Sequence, residues 1–322
     1  MRILSGIQPT GTLHLGNYFG MMQAAIDLQN QGDAFYFIAD YHALTSVQDA
    51  DTLQKNVRNV AVDFLACGLD PKKAQFFRQS DVPAVTELAW ILSTVTPMGL
   101  LERCHSYKDK TSRGIAASHG LFAYPVLMAA DILIYDSDIV PVGKDQKQHI
   151  EVARDIAIKM NEIYGADLLK LPEPRIQEEG ALVPGLDGEK MSKSYNNTVE
   201  IFAEESVFRK KIMGIKTDST AVDQPKAIEG SAILGLYKLV ASPADYQTMV
   251  DDFQKGGIGY GDFKKRLFAG LWEYFAPMRE RRSQIIQDPN FVYQTLQRGA
   301  EKANFMANGV MERVRDATGI KR

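Results

Sequence analysis

Residues 190–194, with the sequence KMSKS, bring two lysines and two serines together on one short segment. The preceding residues 185–188, GLDG, have a composition typical of a mobile turn. Lys190 and Lys193 can direct two ammonium groups at one polyanion, and serine hydroxyls and backbone N–H groups can add hydrogen bonds. The segment therefore suits a phosphate chain whose charge rises while a bond breaks. A solvated basic loop is the ordinary alternative.

A second candidate binding segment follows the first predicted strand. Residues 2–7 predict the strand, residues 8–11 (QPTG) interrupt it, and residues 14–17 (HLGN) lead into an amphipathic helix. Gly16 allows a ligand to approach the backbone, and the helix N-terminus favours phosphate. His14 and Asn17 can face the same ligand. The pattern outlines a nucleotide-binding unit, but it occurs in many α/β proteins.

Residues 124–135 form an apolar, helix-like run around one carboxylate, Asp131. An unpaired carboxylate would be costly there, so Asp131 requires a partner. That partner is either a backbone N–H or a nearby Lys or Arg, or else a donor on a bound ligand. Tyr124 and Met128 precede Asp131 on the same helix face and offer an apolar wall beside the acceptor.

The polar residues 143–146 (GKDQ) follow another predicted strand, residues 139–142, and lead into a strong helix. Asp145 is a good N-cap candidate. Gln146 and His149 face inward at the carboxyl end of the strand, where α/β sheets place ligands. His149 can equally be a packing histidine.

Alternating strand and helix patterns must position these segments. Residues 34–39 and 74–77 predict buried strands, and residues 51–67, 85–95 and 99–107 predict helices. This order predicts an α/β fold with a right-handed parallel sheet.

The composition is that of a soluble globular protein. The net charge is −3, so a nucleic-acid partner would need local basic patches. Cys67 and Cys104 form no Cys-x-x-Cys pair, which favours a reduced cytoplasmic setting. The longest apolar run, residues 121–135, is interrupted by Pro125 and Asp131 and predicts no membrane span.

In combination, HLGN and KMSKS resemble the two signature motifs of class I aminoacyl-tRNA synthetases. GKDQKQHIE at residues 143–151, the run around Asp131 and GAEKAN at residues 299–304 narrow the resemblance to the bacterial-type tryptophanyl-tRNA synthetases. The resemblance covers essentially the whole chain. The rival interpretations are a tyrosyl-tRNA synthetase and a catalytically silent paralogue that binds RNA.

The resemblance implies a Rossmann-type catalytic domain at residues 1–183, with residues 284–322 packing back on it. A smaller all-helical domain at residues 184–283 would bind the anticodon and carry the signature loop at its start. The implied partners are tRNA(Trp), L-tryptophan, ATP with Mg²⁺ and a second copy of the chain. No membrane and no resident metal are expected, and two cysteines cannot build the iron–sulfur cluster of some relatives.

The resemblance also assigns residues. Lys190, Lys193 and Lys110 would be catalytic, and Lys108 would accompany Lys110 on a mobile loop. The residues that would surround ATP are Gln8, Pro9, Thr10, His14, Gly16, Asn17, Gly143, Lys144, Asp145, Val183, Lys190, Met191, Ser192, Lys193 and Ser194. Asp131 would accept the indole N–H of tryptophan, in a pocket lined by Gly6, Tyr124, Met128, Val142 and Gln146.

Three positions depart from the family pattern. Asn17 replaces the second histidine of the first motif, which is usual for tryptophan enzymes. Lys144 stands where many members have Glu, so a ribose contact there would use the backbone. Leu4 stands where an aromatic residue is often found.

The implied chemistry needs little general-base catalysis. The tryptophan carboxylate attacks the α-phosphorus of ATP and displaces pyrophosphate, and the tRNA then takes the tryptophanyl group. The chain must align the reactants and stabilise phosphate charge, and Lys190 and Lys193 are best suited to stabilising the charge.

A basic stretch at residues 264–282, with six Lys or Arg against two Glu, is either a tRNA footprint or a salt-bridged helix surface.

Overall fold

Five parallel strands form the central sheet of the computed structural model, which describes residues 1–9, 11–104, 118–142, 147–176 and 183–320. The strands are β1 (Arg2–Ile7), β2 (Asp33–Ile38), β3 (Ala74–Arg78), β4 (Ile139–Val142) and β5 (Glu173–Ile176). Their order is β3-β2-β1-β4-β5, which confirms the predicted parallel sheet. The order reverses between β1 and β4, and ligands of such sheets bind at the carboxyl ends of the strands at this point.

Helices connect the strands and cover both faces of the sheet. They are α1 (Leu15–Asn17), a π-helical turn (Tyr18–Met22), α2 (Gln23–Leu28), α3 (Asp40–Ala43), α4 (Ala50–Ala66), α5 (Ala84–Ser93), α6 (Met98–Glu102), α7 (His119–Leu133) and α8 (Lys147–Tyr164). The α4 helix begins where the Asp49 carboxylate accepts the Thr52 N–H at 2.8 Å, a typical N-cap bond. None of the helices in the described ranges is both long and apolar enough to cross a bilayer.

The chain after residue 183 is helical. Its helices are α9 (Glu205–Met213), α10 (Ala232–Tyr237), α11 (Pro243–Lys255), α12 (Tyr260–Tyr274), α13 (Ala276–Gln287) and α14 (Pro289–Thr318). The sequence pattern of residues 260–280 by itself predicts one helix, but the structure divides this stretch between α12 and α13. Pro277 has no N–H to continue the hydrogen bonding of α12, so a new helix begins at Ala276.

Alternate side chains of the sheet point to opposite faces, and each face packs into its own buried apolar cluster. Ala34, Tyr36 and Ile38 face the first cluster, which continues into the helices after residue 183. Phe35 and Phe37 face the second, which includes α5, α7 and α8. The domain boundary at residue 184 remains a prediction.

The last helix, α14, lies directly against strand β3. A Cβ at Gly299 would lie 2.1 Å from the backbone oxygen of Phe76, so only glycine permits this approach. Asn304 Nδ2 donates to the Asp81 carbonyl at 2.8 Å. Residues 299–304, which contributed to the family resemblance, thus serve this contact.

Candidate active site

The two signature motifs meet beyond the carboxyl end of β1. The Leu15 N–H donates to the Val199 carbonyl at 2.9 Å, and the Gly16 N–H donates to Met191 Sδ at 3.2 Å. A Cβ at Gly16 would lie 3.1 Å from Met191 Cβ, so the small residue at this position permits close packing. Segments that are 175 residues apart in sequence are therefore joined around one turn.

His14 lies beneath this junction with 5% of its surface exposed. Burial and, to a smaller extent, the positive charges of Lys193 and Lys211 together lower the pKa of His14 to about 4. The imidazole is therefore neutral at physiological pH and adds no charge to the site. In the part of the chain that the structure describes, its buried Nδ1 has no hydrogen-bond partner, which is unusual for a buried polar atom.

Lys193 places its ammonium group at the turn after β1. A Cβ at Gly11 would lie 3.4 Å from Lys193 Nζ, and the Gly11 φ of +100° is one that side-chain-bearing residues rarely adopt. Burial lowers the pKa of Lys193, while the negative charge of Glu200 opposes this shift. The ammonium group thus lies beside the backbone of the turn that follows β1.

A cavity of about 220 Å³ separates this turn from helix α4. Its lining includes Gly6, Gln8, Asn17 and Lys193, all of which the sequence assigned to the site, and also Asp63 of α4. The cavity lies at the carboxyl end of β1, where the strand order reverses.

The start of the signature loop is tied to the residues before it. The Met191 N–H donates to the carbonyl of the buried Val183 at 2.9 Å. The backbones of Lys190 and Pro184 form an isolated antiparallel β-bridge. The Lys190 side chain itself is exposed. The expected mobile turn is therefore held by backbone hydrogen bonds on both of its sides.

Asp131 forms a buried hydrogen-bonded cluster with His42 and Gln79. Its Oδ2 lies 2.8 Å from His42 Nε2, and Gln79 Nε2 donates to Oδ1 at 2.8 Å and to Oδ2 at 3.0 Å. Asp131 is 2% exposed. Burial raises the pKa of Asp131, and the hydrogen bonds from His42 and Gln79 oppose this shift. The observed partners of Asp131 are therefore a His and a Gln side chain. They are neither the backbone N–H, Lys or Arg predicted from the sequence nor a donor on a ligand.

Tyr124 lies next to this cluster, on α7, the helix that also carries Asp131. Its hydroxyl lies 2.5 Å from His149 Nε2, and its ring centroid is 6.3 Å from that of His42. A cavity of about 250 Å³ is lined by Tyr124, His42 and Leu127 among others. Of the predicted tryptophan-site residues, Tyr124 lines this cavity and Gly6 lines the cavity near Lys193.

The strand ends bring two further predicted residues together. Ile3 pairs with Ile139, so β1, which carries Gly6, and β4, which ends at Val142, are neighbouring parallel strands. A Cβ at Gly6 would lie 2.5 Å from the Phe37 ring, so an aromatic side chain already covers this position.

Several predicted site residues lie outside the described residues. They are Thr10, Lys108, Lys110, Gly143, Lys144, Asp145 and Gln146, together with the side chain of Ser194.

Sequence reasoning missed three residues of the site. Gln79 follows β3 directly, and His42 lies in α3, four residues after β2 ends. Their signal was a polar side chain near the carboxyl end of a parallel strand. The third is Asn197, whose buried amide holds the signature loop. No periodicity indicates its role.

Every cationic residue of the basic stretch at residues 264–282 has a partner within the fold. Three form ion pairs: Lys265 with Asp262, Arg266 with Asp252, and Arg282 with Asp63. Three donate to backbone carbonyls: Lys264 to Met213, Arg279 to Trp272, and Arg281 to Ala66. Three of the six cations thus form salt bridges, and a tRNA footprint on this stretch stays a prediction.

A protein-family model and several known proteins match most or all of the chain. The family model described as tRNA synthetases class I (W and Y) matches residues 1–276. The chain is 52% identical to the tryptophan–tRNA ligase of Rhodopirellula baltica over 321 residues, which is 100% of both chains. It is 50% identical to that of Fusobacterium nucleatum over 319 residues, 99% of this chain and 98% of the relative.

A crystal structure of tryptophanyl-tRNA synthetase from Campylobacter jejuni, complexed with ADP and tryptophan, has the same fold. Its TM-score is 0.94 at 49% sequence identity, covering 99% of this chain and 100% of that chain.

Proposed function

The chain belongs to the class I tRNA synthetases for tryptophan and tyrosine, as a tryptophan–tRNA ligase, and we propose how its residues carry out that activity. It joins tryptophan to ATP, giving tryptophanyl-adenylate and pyrophosphate, and then transfers tryptophan to tRNA. The observation that carries the proposed site is the docking of Met191 on Gly16, which sets Lys193 beside the turn after β1.

ATP is proposed to bind along the turn after β1. The cavity lined by Gln8, Asn17 and Lys193 lies there, at the reversal of strand order. The neutral His14, whose Nδ1 has no hydrogen-bond partner among the described residues, is proposed to add a polar contact that carries no positive charge. The remaining ATP contacts are those that the family resemblance assigns to Pro9, Thr10, Gly16, residues 143–145, Val183 and residues 190–194.

Lys190 and Lys193 are proposed to stabilise the phosphate charge that grows as pyrophosphate leaves. Lys193 is suited to this because its ammonium group lies beside the backbone of Gly11 in a partly desolvated place. A cation held there needs little reorganisation when the charge develops. Lys110 is proposed to approach the same phosphates.

Asp131 is proposed to recognise the indole N–H of tryptophan. An ionised carboxylate has about four acceptor positions, and His42 and Gln79 use three of them. One position thus remains for an indole N–H. Phenylalanine has no such donor, so the site is penalised when it binds. Tyr124 and Met128 would form the apolar wall, with Gly6, Val142 and Gln146 completing the pocket.

The proposed assembly is a homodimer. Trp90 of α5 is 73% exposed and Met98 of α6 is 63% exposed, and Phe305 of α14 is 78% exposed. Aromatic and Met side chains are enriched at protein interfaces. We expect Trp90→Glu to shift the mass measured by light scattering toward the monomer. An unchanged dimer mass would place the interface elsewhere.

The remaining proposals concern the conditions of the reaction. ATP is proposed to arrive as its Mg²⁺ complex, as part of the substrate. The reduced cytoplasm is the proposed compartment, since Cys67 and Cys104 are buried free thiols. The two cysteines of the sequence are too few for an iron–sulfur cluster.

Amino-acid-dependent exchange of pyrophosphate into ATP tests the proposed assignment. Tryptophan should drive exchange, whereas tyrosine and phenylalanine should leave it at background. Asp131→Asn should lose exchange with tryptophan at low amino-acid concentration. Exchange driven equally well by tyrosine would contradict the proposed recognition of the indole N–H.

A further inference from the structure

Asn197 is a buried amide that contacts the signature loop on both sides of Met191. It is 2% exposed and lies three residues after the KMSKS segment. Its Oδ1 accepts the Ser192 N–H at 2.8 Å, and its Nδ2 donates to the Lys190 carbonyl at 3.1 Å. The same Nδ2 donates to Asp187 Oδ1 at 2.8 Å.

The surrounding backbone is shaped around this side chain. The Leu186 N–H donates to the Asn197 carbonyl at 3.0 Å, and the Glu189 N–H donates to Asp187 Oδ1 at 3.1 Å. A Cβ at Gly185 would lie 2.2 Å from Asn197 Nδ2. Gly185 is therefore required for the amide to fit, and the turn at residues 185–189 is closed over it.

Only an amide of this length satisfies the three contacts. One end must accept from a backbone N–H, and the other must donate to a carbonyl and to a carboxylate. An aspartate would place a second negative oxygen against Asp187 and the Lys190 carbonyl. An alanine would leave the Ser192 N–H and the Lys190 carbonyl without their buried partner.

The hydrogen bonds of Asn197 affect the position of Lys193 indirectly, through the backbone of the loop. Asn197 fixes the backbone of Lys190 and Ser192, and these residues flank Met191, whose sulfur accepts the Gly16 N–H. Lys193 follows Ser192 directly, so its starting point is set by the same hydrogen bonds.

We propose that Asn197 is a positioning residue, which holds the first half of the signature loop so that Lys193 reaches the reacting phosphates. This inference rests on the proposed function of Lys193. Asn197 acts through the loop and touches neither reactant. A loop displaced by about 1 Å is expected to slow adenylate formation by about 100-fold.

The test compares Asn197→Ala and Asn197→Asp with the wild type in single-turnover formation of tryptophanyl-adenylate. We expect both variants to be at least about 10-fold slower at saturating ATP, and Asn197→Asp to be the slower, with tryptophan affinity retained. The matched control is Asn196→Gly, because Asn196 is exposed and has a φ of 52°, a conformation that glycine adopts readily. This control should keep the wild-type rate.

A second variant covers the case in which a change at Asn197 prevents folding. Asp187→Ala removes one acceptor from a partly exposed position, and should reduce the rate less than the Asn197 variants while leaving the fold intact.

The outcomes separate this inference from the proposed function. Wild-type rates in the Asn197 and Asp187 variants, with a slow Lys193→Ala variant, would overturn the positioning role alone. A wild-type rate in Lys193→Ala would overturn the proposed role of the lysine. Equal losses of tryptophan affinity and rate in the Asn197 variants would show general damage and would overturn positioning.

Discussion

Replacing Asp131 by alanine should both destabilise the protein and weaken tryptophan binding. His42 is 7% exposed and Gln79 is 1% exposed, so neither donor can turn to solvent when the carboxylate is removed. Each buried donor left without an acceptor costs about 1–3 kcal/mol, or about 2–6 kcal/mol for the two. Relief of the carboxylate's own desolvation places the total toward the lower end.

The two effects are measured separately. Urea unfolding gives the change in free energy of unfolding, and titration calorimetry gives the tryptophan affinity. The lost bond to an ionised acceptor should weaken binding about 10- to 100-fold. Glu87→Gln is the control, because Glu87 is a partly buried carboxylate paired with Arg315 that lines neither cavity of the candidate site. It should lower stability and leave tryptophan affinity unchanged.

Two results would refute the reasoning. If Asp131→Ala unfolded at the wild-type urea concentration, the bonds to His42 and Gln79 would contribute nothing to stability. If its stability fell while its tryptophan affinity stayed at the wild-type value, Asp131 would be a structural residue. The assignment of the pocket would then be abandoned.

Three further predictions concern stability. The His14 pKa of about 4 lies below the ordinary 6.5, so the unfolded chain binds a proton that the folded protein does not. His14 should therefore contribute a fall of about 3 kcal/mol in the free energy of unfolding from pH 6.5 to pH 4, and His14→Gln should reduce the fall measured in urea titrations by that amount. Arg282→Ala should cost about 3–5 kcal/mol by leaving buried Asp63 unpaired, and adding Asp63→Asn should restore most of the urea midpoint. Gly299→Ala should lower the thermal midpoint by forcing α14 off strand β3, whereas Gly309→Ala, with open space around it, should not.

The sheet was predictable because local sequence patterns are sufficient to identify buried strands. The predicted strand at residues 34–39 differs by one residue at each end from Asp33–Ile38, and residues 139–142 coincide with β4. Continuous apolar runs between turn residues identify such strands, and their alternation with helices gives a parallel sheet. The break between α12 and α13 was missed although Pro277 is its local signal.

The contacts of the site were less predictable because they join distant segments. Asp131 meets His42 across 89 residues and Gln79 across 52 residues, and no periodicity encodes those pairings. The composition of residues 185–188 predicted a mobile turn, but it could not reveal that Asn197 closes it. The charges near residue 282 likewise had two interpretations, and no local pattern indicates that Arg282 pairs with Asp63, 219 residues away.

Single-turnover adenylate formation by Lys193→Ala tests the central claim most directly, when tryptophan affinity is measured on the same preparation. The ammonium group beside Gly11 should serve the transition state, so the rate should fall by about 100-fold or more. Tryptophan affinity should stay within about twofold of the wild type. Equal losses of rate and affinity would show that Lys193 contributes only uniform binding, and would contradict the account.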